Sequence, residues 1–125
     1  MRITYGDLAK LSNRLIKEGS ALEAAGNCDA ALQEIGDWYL KWGQSVRSAV
    51  DTADFAILCA YARSPSASNV RKMALGALFI LASEGLSNPD YAKFAVGATL
   101  QWIHALNGTT PLWNVVELSD NDRRE

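Results

Sequence analysis

From Met73 to Ala82 the chain runs through ten residues, Met-Ala-Leu-Gly-Ala-Leu-Phe-Ile-Leu-Ala, without one polar side chain. A helix built from this run is apolar on every side, and such a helix is stable only when other elements cover it all round. The run is far short of the roughly 20 apolar residues that cross a bilayer. It therefore predicts a central helix over about residues 69–84, closed by Gly85, inside a bundle whose outer helices are amphipathic.

The flanking sequence supplies such helices. Thr4 followed by Asp7 resembles a capping box, with Ile3 and Leu8 at the positions of a hydrophobic staple. Leu8, Leu11, Leu15, Leu22 and Ala25 then keep to one helical stripe, which Gly26-Asn27 ends. Asn27 is the expected N-cap of a second helix, in which Ala31, Ile35, Trp38, Trp42, Val46 and Ala49 follow at spacings of three and four. Gly36 and Gly43 weaken this helix, unless they serve the close approach of a neighbour. Asp51-Thr52 starts a third helix through Phe55, Leu58, Ala62 and Arg63, and Ser64 to Ser68 is the clearest loop in the chain. Ser87-Asn88-Pro89-Asp90 opens a last helix carrying Tyr91, Phe94, Ala95, Ala98, Trp102, Ile103 and Leu106 on one side.

The expected fold is all-α: a compact bundle of four to five helices around the central one, with short connections between antiparallel neighbours. After Gly108, the apolar segment 111–118 has no clean period and reads as a short extended or strand-like cover. Residues 1–118 form one domain, and 119–125 a polar, flexible tail. A chain of 125 residues can bury a core without disulfide or metal staples. Hydrophobic residues at 49% and charged residues at 21% fit a globular domain and not a disordered one.

The formal net charge of −2 lacks the basic excess from which dedicated nucleic-acid binders draw most of their affinity. Cys28 and Cys59 belong to no metal or redox motif, and they read as two partly buried thiols in a reducing compartment. The opening residues have no apolar signal-peptide core, so the expected location is cytoplasmic.

Little in the sequence suggests chemistry, and no catalytic residue, cofactor or metal site is assigned. The single histidine, His104, has no second ligand at i+3 or i+4. Glu34 with Asp37 reads as a solvated helix face, and Asp51 with Asp54 as the acidic start of a helix. The nine glycines are dispersed and form no phosphate-binding cluster.

Two binding readings remain. In the first, Asp37-Trp-Tyr-Leu-Lys-Trp42 packs three aromatic residues into five positions, and Trp, Tyr and Arg are enriched where protein partners bind most tightly. Trp38 and Trp42 fall on the core stripe. Tyr39 lies about 100° round from Trp38 and, with Leu40, widens the apolar arc toward a partner, with Lys41 and Arg47 at its rim. The plain alternative is that the whole cluster is core. The chain then reads as a small protein-interaction module, such as an adaptor, an assembly chaperone or an inhibitor from a phage or mobile element, binding a partner or itself. In the second reading, residues 53–73 outline a helix-turn-helix that presents Asn69, Arg71 and Lys72 to DNA. Against it, the following ten residues leave such a helix no open face. An enzyme with an unfamiliar site ranks last.

Overall fold

A computed structural model describes residues 3–26, 28–64 and 68–106. Every regular element among them is an α-helix: α1 (Tyr5–Ala24), α2 (Cys28–Trp42), α3 (Gln44–Arg47), α4 (Thr52–Arg63), α5 (Ser68–Glu84) and α6 (Pro89–Leu106). None is long and apolar enough to cross a membrane. The expected cap at Asn27, the turn at Gly108 and the strand-like segment 111–118 lie outside the described residues.

Helix starts follow the local chemistry of the sequence. The Thr4 hydroxyl accepts from the Asp7 amide (3.0 Å), and the Asp7 carboxylate accepts from the Thr4 amide (3.1 Å), which satisfies two of the orphan donors of α1. Asp51 caps α4 by accepting from the Ala53 amide (2.8 Å), and Asn88 accepts from the Tyr91 amide at the start of α6.

The expected second helix is two elements. Gly43 has φ +57°, a left-handed conformation open to glycine at little cost, and it ends α2 after Trp42. The single turn of α3 follows, with Val46 and Val50 buried beyond the break.

α5 is the central helix that its composition demands. Met73 to Ala82 is buried except at Phe79, which is half-buried. Leu75, Leu78, Ile80 and Leu81 are sealed from solvent, each contributing about 2 kcal/mol of apolar transfer free energy. Around α5 stand α1, α2, α4 and α6. Contacts join α1 to α2, α2 to α4 and α4 to α6. The ring closes where Arg14 of α1 lies over the Tyr91 ring of α6, 5.5 Å from its centroid, and pairs with Glu84.

The tightest contact joins α1 and α5, which run antiparallel. A Cβ on Gly19 would overlap the Lys72 backbone, and one on Gly76 would overlap the Leu15 backbone. The stripe of α1 is thus Leu11, Leu15 and Gly19, a residue every four positions, the last contributing its lack of a side chain. Ala25, beyond the helix end, is exposed. At Gly36, by contrast, no atom lies within 4 Å of an added Cβ, so that glycine serves no close approach.

Gly19→Ala and Gly76→Ala are each expected to destabilise the protein by about 1–3 kcal/mol through overpacking, despite alanine's better helix propensity. Gly36→Ala should stabilise it by up to about 1 kcal/mol. Urea melts of the three variants check the contrast, and a loss at Gly36 equal to that at Gly19 would refute it. A second outcome concerns Thr99, which is buried in α6 with no hydrogen bond to its hydroxyl among the described residues. Thr99→Val keeps the shape and removes the unsatisfied group, so the melting temperature should rise, by the equivalent of about 1 kcal/mol.

Candidate functional site

The face that α2 turns to the bundle is set by Leu32, Ile35 and Tyr39, spaced three and four apart and all buried. Tyr39 is only 4% exposed. Its ring stacks on Phe55 of α4, with centroids 4.1 Å apart and planes within 4°. Its hydroxyl donates to the Val50 carbonyl (3.1 Å) and stands 3.3 Å from the Thr52 hydroxyl. One side chain therefore fastens the end of α2 to the junction ahead of α4.

This reverses the expected order of the aromatic cluster. Tyr39, expected toward a partner, is core. Trp38, expected on the core stripe, is 37% exposed at the edge of that stripe, and Trp42 is half-buried beside it. Two apolar stripes overlap on α2 and share Ile35: Ala31, Ile35, Trp38 and Trp42 form one, and Leu32, Ile35 and Tyr39 the other, about 60° round. The bundle takes the second, which brings Tyr39 to Phe55 and Val50 and leaves Trp38 at the margin.

The two tryptophan rings stack 6.1 Å apart with planes at 11°. Successive residues turn by about 100°, so Glu34, Trp38, Lys41 and Trp42 share an arc of about 100° on α2. Glu34, Asp37 and Lys41 are exposed and make no ion pair among the described residues. Leu40 is 65% exposed but lies on the opposite flank, about 200° from Trp38. Arg47 belongs to the next element, where it lines an open groove of about 530 Å³ with Asp51, Asp54 and Lys93. In that groove, desolvation and the neighbouring Asp51 charge push the Asp54 carboxyl above its ordinary pKa.

The residues of the DNA reading are placed differently. Asn69 is exposed. The Arg71 guanidinium pairs with Glu23 of α1 and donates to the Ser64 carbonyl at the end of α4 (3.1 Å). The Lys72 ammonium stands 4.0 Å from the same Glu23, and the Lys72 backbone lies against Gly19. The first turn of α5 is thus packed on α1, and its two cations face an internal carboxylate. Glu23 was not singled out from the sequence, because nothing local ties it to an arginine 48 positions away.

Among the described residues no group of three His, Cys, Asp or Glu side chains is placed to hold a metal ion. His104 is partly exposed near the end of α6, and Cys28 and Cys59 are half-buried free thiols. Burial pushes the Cys59 thiol pKa up, against the pull of Arg63. No protein family, curated protein or solved structure matches the chain.

Core and edge separate by mutation. Tyr39→Phe should cost about 1 kcal/mol for its hydroxyl contacts, and Tyr39→Ala about 3–5 kcal/mol for the cavity. Trp38→Ser gives up the part of the ring already packed against the bundle and should cost about 2–3 kcal/mol, less than Tyr39→Ala, with the fold intact. Thermal melts followed by circular dichroism rank the three, and a Trp38→Ser loss as large as that of Tyr39→Ala would put Trp38 in the core.

Proposed function

We propose that this chain is a small helical protein-interaction module that docks through the Trp38–Trp42 edge of α2, with Lys41 at the rim. What carries the reading is the division of labour on α2. Leu32, Ile35 and Tyr39 hold the helix to the bundle, and the tryptophan pair lies at the margin of that contact. Covering what remains exposed of Trp38 is worth about 2 kcal/mol, and a desolvated tryptophan with a charged rim is the usual composition of a binding hot spot. Arg47 lies beyond the Gly43 break and lines the groove with Asp51, Asp54 and Lys93, so Lys41 is the cation of this edge. The DNA reading is weaker, because Arg71 and Lys72 already face Glu23.

The test is capture of partners from the host's own lysate by tagged wild type, Trp38→Ser and Arg71→Ala/Lys72→Ala, with and without nuclease. The expected result is a stoichiometric protein that survives nuclease, is lost with Trp38→Ser and is kept with the Arg71/Lys72 variant. Nucleic acid in the eluate, lost with the Arg71/Lys72 variant and flattened in its salt dependence, would reverse the ranking. An empty eluate from a protein that is also monomeric would end the interaction reading.

A further inference from the structure

We infer that the occupant of the Trp38–Trp42 edge is a second copy of this chain, paired antiparallel along α2 about a two-fold axis. The inference rests on reading that edge as a docking surface and adds the identity of what docks.

Its basis is the charge order of α2. Glu34 and Lys41, both exposed, stand seven residues or about two turns apart on the side of α2 that carries Trp38. An acid and a base so placed complement themselves when a second copy lies antiparallel. With the axis passing between residues 37 and 38, Glu34 of each copy faces Lys41 of the other. Trp38 then lies beside the second copy's Trp38 at the centre. Glu34, Trp38, Lys41 and Trp42 occupy one arc, so both charge pairs and the aromatic contact form together. A parallel pairing would set Glu34 against Glu34 and Lys41 against Lys41.

The described end of the chain lies away from this edge. α2 begins at Cys28, where Cys28, Asp29 and Arg71 line one depression at the N-terminal end of α5. α6 follows α5 through a short turn, runs back along it, and ends at Leu106 at that same end. In the ring around α5, α6 stands across from α2. Trp42 is a further 14 residues along α2, about 21 Å beyond Cys28.

A helix of 15 residues is about 22 Å long, so pairing through one edge buries less than the roughly 1,200 Å² at which standard interfaces begin. The dimer therefore falls in the weak, transient class of interfaces and is further weakened by salt.

Sedimentation of the full chain between about 1 µM and 1 mM tests this. The expected mass rises with concentration from 13.6 kDa toward twice that value. Lys41→Glu and Glu34→Lys should each raise the dissociation constant about tenfold, since each places like charges at both pairs. The double variant Glu34→Lys/Lys41→Glu should return to within about threefold of wild type, a recovery that no unrelated effect of either change produces. Trp38→Ser should stay monomeric with a retained helical melt. A wild type at 13.6 kDa up to 1 mM overturns the proposal, as does a double variant no better than the singles. In either case a heterologous partner lost with Trp38→Ser leaves the docking edge standing and removes only the second copy. Capture unaffected by Trp38→Ser removes both.

Discussion

Gly19 and Gly76 let α1 and α5 meet backbone to backbone, and the rest of the bundle is arranged around that contact. Neither helix could sit so close with a side chain at either position. The approach directs Leu11 and Leu15 of α1 into the core beside the central helix. It also brings the end of α1 alongside the start of α5, which is why Glu23 reaches both Arg71 and Lys72. Arg71 then closes the same end by holding the last carbonyl of α4. A packing condition set by two missing side chains thereby decides the electrostatics of three helix ends.

At the other end of α2 the corresponding part is Tyr39. Stacked on Phe55 and bonded to Val50, it holds the chain where Gly43 has broken the helix and α3 has turned it toward α4. The break and the anchor work together. Without the left-handed glycine, α2 would continue as one long helix and Tyr39 could not meet the segment that caps α4. This geometry rotates α2 so that Trp38 and Trp42 come to its margin.

The parts of this fold legible in the sequence were those with a local cause. The apolar run of α5 announced a buried central helix, and Thr4 with Asp7, Asp51 and Asn88 marked helix starts through hydrogen bonds to amides two or three residues away. What was not legible depended on conformation or on distant partners. Gly43 is visible as a residue but not as a positive φ, so the end of α2 at Trp42 is not legible. The Leu32, Ile35, Tyr39 stripe and the Ile35, Trp38, Trp42 stripe are equally periodic, and only the distant contacts of Tyr39 with Phe55 and Val50 decide between them. Gly19 carried no signal because the stripe was traced by side chains. The basic start of α5 read as a nucleic-acid face because the carboxylate that neutralises it lies on another helix.

The uneven anchoring of the ring has a consequence for how the molecule opens. α5 is enclosed by four neighbours, whereas α2 rests on three buried side chains and one tyrosine hydroxyl. Local unfolding follows such differences, so the amide protons of α2 exchange with solvent through a partial opening that leaves α1, α4, α5 and α6 assembled. A partner at the tryptophan edge, as proposed, would bind only the closed form of that helix and slow its exchange relative to the central helix. On the proposed function, the segment that docks would also be the least firmly anchored segment of the bundle.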